Sequence, residues 1–449
     1  MVLQAGAGRM IKHMPPSGTI DGGRHTISRS EGAMKRLEHV RILMYSHDTF
    51  GLGHLRRCRA IAHSIVDSFK GVNVIIISGS QIAGAFDFRA RVDFVKIPSV
   101  IKLYNGEYDS IGEYIDVNDI LTMRKLIIQR TAESFEPDLF IVDKEPLGLK
   151  GELEPTLQMM RTNDTRTVLG LRDVMDSPQL LEAEWTPKSM MPKIADYYDR
   201  IWIYGPERFW NPLEGLEGSE NLDERMRYVG WLERDLPAHG ADMHSLPERY
   251  ILVTAGGGGD GSGLMEQVLA AREQDHQDDF PLVMVLGPFM KSENRERIRH
   301  RASHLANVTV IDFETRLEVL LSRAVGVVGM CGYNTFCEAL TFDRKALYVP
   351  RVQPRQEQYI RASRARELGL CEMLTPEEAA IPNVMAGALR RLRDGVRPSA
   401  ALQEGDLGGL DAICDDIERL LADMRTPAAT RQAGSVRARR MAETGAVDR

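Results

Sequence analysis

The chain has 449 residues, 43% of them hydrophobic, and a formal net charge of −7. That length exceeds one ordinary core, so the composition predicts a soluble globular protein of about two domains. Lysine and arginine are interspersed with aspartate and glutamate, which argues against nucleic acid as a partner.

Cysteine usage and hydropathy both indicate an intracellular protein. The five cysteines are scattered, without a Cys-x-x-Cys pair or a histidine at metal-ligand spacing: Cys58, Cys331, Cys337, Cys371 and Cys414. No apolar run approaches the roughly 20 residues that span a bilayer, and the N-terminus lacks the apolar stretch of a signal peptide. We therefore expect reduced thiols and a cytoplasmic protein, with peripheral contact at the inner membrane face left open.

Short β-branched runs alternate with helical patterns, which is typical of parallel sheets built from βαβ units. The first series comprises residues 41–46, 73–79, 92–98, 138–143, 167–173 and 200–205. The second comprises residues 250–257, 281–287, 308–313, 325–330 and 346–350. The predicted fold class is α/β, with two Rossmann-like, doubly wound sheets facing a cleft, because such sheets bind ligands at the carboxyl ends of their strands.

Breaks in periodicity set the expected domain boundaries. We expect a disordered tail over 1–38, a first domain over 39–232, a linker over 233–248, a second domain over 249–424 and a second tail over 425–449. The mixed segment from Tyr104 to Glu136 is either an insertion on the acceptor side or two helices.

The first candidate motif is Gly51-Leu52-Gly53-His54, between a strand and a helix. Glycine permits a tight turn, and the helix start offers unpaired N–H groups and a positive potential to an anion. His54 is therefore a candidate general base or a hydrogen-bond donor to a phosphate. The plainer alternative is a histidine that bonds to turn carbonyls.

The second motif is a run of four glycines after the first strand of the second half: Gly256, Gly257, Gly258 and Gly259. Such a loop brings backbone N–H groups close to a diphosphate. It matches neither a dinucleotide fingerprint nor a Walker sequence, which argues against an NTPase. The alternative is a flexible βα loop.

Two further motifs lie later in the second half. Gly332 opens a helix whose first residues, Tyr333, Asn334 and Thr335, offer amides to a phosphate. Glu338 on that helix is placed to bind a ribose diol, with an ordinary surface carboxylate as the alternative. Glu357 and Gln358, at the next helix start, suit sugar hydroxyls or form an exposed helix start.

Carboxylates also stand at strand ends in the first half. Asp143, Glu145 and Asp173 are candidates to assist or replace His54, with structural ion pairs as the alternative. No motif for a metal ligand stands at a strand end, so we expect no metal and no cofactor. The leaving diphosphate would then be stabilised by helix dipoles and amides alone.

These motifs, in this order, resemble the peptidoglycan N-acetylglucosaminyltransferase family over residues 40–395. The match is strongest where residues 331–338 follow the family's Ser-Gly-Ala-x-Thr-x-x-Glu and residues 356–362 follow x-Gln-Gln-Tyr-x-x-Ala, with Glu357 replacing the first glutamine. The resemblance implies a metal-independent glycosyltransferase of the GT-B fold that uses a UDP-linked donor in cell-envelope or exopolysaccharide synthesis. It places Glu338 on the ribose, Phe313 on the uracil, Glu357 with Gln358 on the donor sugar, and His54 beside the phosphates and an unidentified glycan or lipid-linked acceptor.

The residues 51–58 also resemble the Gly-x-Gly-His-x-x-Arg-Cys element of the nucleotide-sugar hydrolase of pseudaminic acid biosynthesis. That resemblance implies that His54 activates water. The chain's length, the 104–136 segment and the predicted sugar-binding residues Glu357 and Gln358 favour transfer over hydrolysis. A nucleotide-sugar binding protein without activity is the third alternative.

Overall fold

The computed structural model describes residues 35–47, 53–102, 108–110, 115–236, 246–275 and 277–425. Most of both predicted tails lies outside these residues. The sequence suggested that residues 35–38 belong to the N-terminal tail. They do not, because the first strand begins at Lys35 and pairs there with Phe69.

The first half contains a seven-stranded sheet whose neighbours are all parallel. Its spatial order is β3-β2-β1-β6-β7-β8-β9. The strands are β1 (Lys35–Ser46), β2 (Phe69–Ser78), β3 (Val92–Lys96), β6 (Leu139–Asp143), β7 (Arg166–Arg172), β8 (Arg200–Tyr204) and β9 (Met226–Tyr228). A separate antiparallel pair consists of β4 (Val100–Lys102) and β5 (Tyr108–Ser110).

The second half contains a six-stranded parallel sheet in the order β12-β11-β10-β13-β14-β15. Its strands are β10 (Ile251–Thr254), β11 (Leu282–Val285), β12 (Val308–Ile311), β13 (Gly326–Gly329), β14 (Lys345–Tyr348) and β15 (Glu372–Met373). Both orders turn back at the first strand of the half, as in a Rossmann sheet. The two Rossmann-like domains predicted from sequence are confirmed.

Helices cover the sheets, as parallel βαβ connections require. In the first half they are α1 (Gly53–Ser68), α2 (Val117–Phe135), α3 (Glu154–Thr162), α4 (Pro178–Trp185) and α5 (Met190–Tyr197). In the second half they are α6 (Ser262–Gln274), α7 (Ser292–Ser303), α8 (Leu317–Arg323), α9 (Tyr333–Thr341), α10 (Glu357–Glu367), α11 (Pro376–Ala379), α12 (Pro382–Asp394) and α13 (Gly409–Arg425). None of the helices in the described residues combines the length and apolar character of a membrane span.

Every strand predicted from the alternating pattern is present, because the buried runs are uninterrupted: β6, β10, β11 and β13 are buried along their full length. The pattern missed β4, β5, β9 and β15, which are each only two or three residues long. Within the described residues, the 104–136 segment contains β5 and the single long helix α2, so the alternative of two helices is wrong.

The two halves share one buried cluster. Trp231, two residues before the predicted linker, is fully buried and packs edge-on against Phe209 and Phe336. Helix α13 follows the second half along the chain but packs on α1 of the first, where the indole of Trp202 donates to Asp416 at 2.8 Å. The chain therefore crosses between halves near Trp231 and again before α13.

Candidate active site

The strand order of each sheet reverses at one point, and the predicted motifs lie at these two points. In the first half this point lies between β1 and β6, with α1 beginning after β1 and Asp143 ending β6. In the second half it lies between β10 and β13, which lead into the Gly-rich loop and into α9. Open α/β sheets bind ligands at this position.

His54 lies in the first turn of α1 and contacts Asp143 directly. Its Nδ1 lies 2.6 Å from Oδ2 of Asp143, and Arg57 donates from Nε and Nη2 to the two oxygens of Asp143 at 2.7 and 2.5 Å. A carboxylate oxygen approaches a ring nitrogen this closely only through a proton, so His54 donates its Nδ1–H to Asp143. Both oxygens of Asp143 thus accept bonds, and Nε2 of His54 carries the lone pair.

Burial sets the ionisation of this group. It lowers the pKa of His54 to about 4, because the opposing attraction of Asp143 is smaller than the cost of burying an imidazolium. Burial alone would raise the pKa of Asp143, but the charge of Arg57 and the bond from His54 hold it well below its usual range. At neutral pH the structure therefore holds a neutral histidine against an ionised aspartate.

Glu145, the third predicted catalytic residue, lies two residues beyond this pair but does not join it. Lys144 donates to Glu145 at 2.8 Å. Burial would raise the pKa of Glu145, yet the charges of Lys144, His47 and Arg355 keep it well below its usual range. Glu145 is therefore an ionised partner of Lys144 beside the dyad.

The motifs of the two halves touch each other. The side-chain amide of Asn334 donates to the carbonyl oxygen of Gly53 at 3.0 Å, and Arg234 donates to the amide oxygen of Asn334 at 2.9 Å. Tyr333 is buried with the guanidinium groups of Arg57 and Arg361 over its ring, at 5.4 and 5.7 Å from the centroid. The structure thus brings the start of α9 against the start of α1.

Glu338 is fully buried, so the alternative of a surface carboxylate is wrong. Arg56 of α1 donates to Glu338 at 2.7 Å and to Glu318 of α8 at 2.6 Å. The second carboxylate oxygen of Glu338, Oε2, has no hydrogen-bond partner in the described residues. Burial raises the pKa of Glu338 to about 7, with Arg56 opposing and Glu318 adding to the rise. The position predicted for a ribose thus faces a guanidinium from the first half.

The Gly-rich loop and the predicted donor-sugar residues are linked through Arg351. This arginine pairs with Asp260 of the loop and donates to Glu357 at 2.6 Å. Gln358 accepts from the backbone N–H of Arg351 at 3.2 Å. Gly258 has φ +83°, and a Cβ there would lie 2.2 Å from the carbonyl oxygen of Leu286, so backbone packing requires glycine at this position.

The remaining predicted positions belong to the second half. The boundary along which the two halves contact each other, marked by the Asn334–Gly53 and Arg361–Asp173 bonds, is called the seam. Gly256 also has positive φ (+62°), with open space where its Cβ would be, whereas Gly257 accepts a backbone bond from Phe289. Gly332 is the N-cap of α9 and Thr335 is buried in its first turn. Phe313 lies beyond β12, half-buried against the shared core. Gly259 lies in the loop before α6.

Sequence patterns did not reveal the arginines that organise the site. Arg56 and Arg57 lie in the α1 motif, yet only their partners, 282 and 86 residues away, give them meaning. Asp173 is a structural residue and not a spare base, since Arg361 donates to it at 2.7 Å and Trp231 at 3.1 Å. A cue was available: Asp143 and Asp173 both follow buried strands, where an aspartate requires a cationic partner.

Comparison with known proteins agrees with this architecture. Residues 250–401 match the family model described as the Glycosyltransferase family 28 C-terminal domain. No curated protein sequence matches the chain significantly.

Solved structures resemble the whole two-domain unit. The calicheamicin glycosyltransferase CalG4 has TM-score 0.56 at 16% identity, covering 87% of this chain and 100% of its own. MurG of Acinetobacter baumannii has TM-score 0.51 at 13% identity, covering 85% and 99%. A protein assigned as a UDP-N-acetylglucosamine 2-epimerase from Listeria monocytogenes has TM-score 0.57 at 11% identity, covering 88% and 100%.

At these identities the structural likeness establishes the fold, and the matched domain establishes the class. The fold is GT-B, with two Rossmann-like domains, and the protein is a glycosyltransferase.

Proposed function

We propose that this enzyme transfers a hexose or N-acetylhexosamine from a UDP-linked donor to a glycan or lipid-linked acceptor, in cell-envelope or exopolysaccharide synthesis. The observation that carries the proposal is the His54–Asp143 pair at the carboxyl edge of the first sheet, opposite the domain that matches glycosyltransferase family 28. CalG4, which is named as a glycosyltransferase and shares the fold, supports this class of reaction.

In the proposed reaction His54 is the general base. Its Nε2 accepts the proton of the attacking acceptor hydroxyl while Asp143 stabilises the imidazolium that forms. The acceptor oxygen bonds to the anomeric carbon, and the bond from that carbon to the phosphate oxygen breaks. The diphosphate leaves with the electron pair.

Donor recognition is assigned to the second half. The amides at the start of α9 and in the Gly-rich loop face a diphosphate, Glu338 holds the ribose, Phe313 contacts the uracil, and Glu357 with Gln358 contacts the sugar. Binding of a diol through both oxygens of Glu338 requires neighbouring side chains to move, because Glu338 is fully buried and its Oε1 accepts from Arg56.

A panel of nucleotide sugars tests the donor. A ligand at a hundred times its dissociation constant adds about 2.7 kcal/mol to the free energy of unfolding, which a thermal-shift assay resolves. We expect UDP and one or more UDP-sugars to raise the melting temperature; absence of any shift with UDP, dTDP, GDP or their sugars would contradict the proposal.

Transfer and hydrolysis are separated with the donor that binds. With acceptor candidates present, we expect sugar to appear on the acceptor, with free sugar formed much more slowly when the acceptor is omitted. Release of free sugar at the same rate with and without every acceptor would instead assign His54 to water activation.

A further inference from the structure

Several charged side chains at the carboxyl edge of the first sheet form ion pairs. Arg57 pairs with Asp143 at 2.5 Å, Lys144 with Glu145 at 2.8 Å, and Arg361, from the second half, with Asp173 at 2.7 Å. Arg172, the last residue of β7, forms no ion pair within the described residues.

Arg172 has no hydrogen bond or ion pair from its guanidinium within the described part of the chain, and its Nε is buried without a partner. Burial lowers the pKa of Arg172 to about 10; Glu357 opposes this, and Arg361 and Arg57 add to it. The group stays charged at neutral pH. Arg172 is half-buried, and a charged group whose Nε is buried without a partner is unfavourable unless an anion compensates it.

Glu357 of α10 supplies the opposite charge without reaching Arg172. Its Oε1 accepts from Arg351 at 2.6 Å, and its Oε2 is buried without a partner in the described residues. An unpaired cation on one half and an unpartnered carboxylate oxygen on the other thus attract each other across the seam without pairing. A molecule that carries a phosphate next to a hydroxyl satisfies both groups.

We propose that Arg172 binds the donor phosphate attached to the sugar, while Glu357 accepts a hydroxyl of that sugar. This inference rests on the proposed function and adds a catalytic residue to it. As the anomeric carbon–oxygen bond breaks, the electron pair passes to the phosphate oxygen, and the guanidinium of Arg172 neutralises the added negative charge. A side chain of the first half therefore shares in stabilising the leaving group with the amides of the second.

The test compares Arg172→Gln with Arg166→Gln. Arg166 begins the same strand, about 20 Å from Arg172 at about 3.3 Å per residue, and pairs with Asp199 at 3.5 Å. Calorimetric titration with uridine and with UDP gives the gain in affinity contributed by the diphosphate. We expect Arg172→Gln to weaken UDP binding by about 10- to 100-fold and to leave uridine binding unchanged, because one charge-assisted contact is lost. Arg166→Gln should change neither.

Arg172→Lys separates charge from geometry. It keeps the positive charge but not the planar pair of donors, so its UDP affinity should lie between those of the wild type and Arg172→Gln. With the identified donor, Arg172→Gln should also lower kcat, because the contact strengthens as the diphosphate leaves.

The outcomes separate this inference from the proposed function. Wild-type protein that binds no nucleoside diphosphate refutes both. Wild-type binding with an unchanged UDP-to-uridine ratio in Arg172→Gln refutes only the role of Arg172. Equal weakening of uridine and UDP, or a loss of melting temperature in Arg172→Gln beyond that of Arg166→Gln, assigns Arg172 to structure and also overturns the inference.

Discussion

The His54–Asp143 pair is a local arrangement with a specific kinetic consequence. We expect His54→Ala to lower turnover by about 10²-fold or more and to leave UDP affinity nearly unchanged, because the base acts on the acceptor. His63→Ala, on the same helix but outside the pair, is the matched control. Steady-state kinetics and calorimetry measure both quantities. Unchanged turnover would remove His54 from the chemical step, and lost UDP affinity would make it a phosphate ligand.

The pH dependence of activity reports the same residue. A folded-state pKa of about 4 means that His54 becomes protonated, and so inactive as a base, only near that pH. We expect kcat at saturating donor, to which the titration of Glu338 in donor binding does not contribute, to stay flat as the pH falls from 7 to about 5 in protein that remains folded by fluorescence. An acidic limb near the ordinary histidine value of about 6.5 would contradict the burial that the structure shows.

Stability should follow from the same shift. Between pH 4 and 6.5 the unfolded chain binds a proton at His54 that the folded chain does not. The free energy of unfolding therefore decreases as the pH is lowered through that window. Denaturant titrations of wild type and His54→Ala should therefore differ in slope with pH between these values, and identical slopes would argue against a depressed pKa.

Glu338 tests the ribose assignment. We expect Glu338→Ala to weaken UDP binding by one to three orders of magnitude, with Glu338→Gln less affected, because two charge-assisted bonds of roughly 1.5 to 3 kcal/mol each are partly offset by desolvation. Wild type should prefer UDP over its 2′,3′-dideoxy analogue, and Glu338→Ala should bind both about equally weakly.

Glu318 provides the control for that experiment. It shares Arg56 with Glu338, so Glu318→Ala disturbs the same guanidinium without removing the proposed ribose ligand. A retained preference for UDP in Glu318→Ala, together with its loss in Glu338→Ala, assigns the diol to Glu338. Retention in both variants would leave Glu338 as a structural partner of Arg56.

At the scale of elements, the sequence predicted the strands and the edge at which the site lies. Period and length of apolar runs fix where a chain forms a strand, and the carboxyl ends of parallel strands then lie together. The pairing of Arg56 with Glu338 lies beyond such reasoning, because local periodicity carries no information on which residue 282 positions away will face a given helix. The role of Arg172 was not predicted for the same reason, since the sequence alone does not show that its Nε is buried without a partner in the described residues.

Helix α13 should be indispensable although it is the last element of the described chain. It packs on α1, and its Ile413 and Ile417 are buried in the core that both halves share. A chain of residues 35–425 is expected to unfold cooperatively near the full-length melting temperature. A chain ending at residue 408 should aggregate or melt several degrees lower, because it exposes that surface. Equal melting of the two would show that α13 contributes nothing to the core.

At the scale of the molecule, a buried ion pair joins the halves. Arg361 of α10 and Asp173 beyond β7 are both nearly inaccessible to solvent. Removing one partner leaves the other charge buried, which costs about 3 to 5 kcal/mol. We expect Arg361→Met to lower the free energy of unfolding by that amount in denaturant titration. Arg366→Met, on the exposed face of the same helix, should change it by less than about 0.5 kcal/mol. Equal effects of the two substitutions would mean that the pair does not hold the halves together.

The two crossings of the chain between the halves run side by side. Trp231 on the first crossing forms a parallel bridge with Leu407 on the second, and Trp231 donates its backbone N–H to Asp406 at 2.7 Å. A body attached to another by two adjacent strands turns about the line through them and resists twisting in other directions. Entry of a donor past Arg56 would then require a rigid-body rotation of one half against the other. Its axis would pass through Trp231, and the two halves would separate most at the side farthest from that residue.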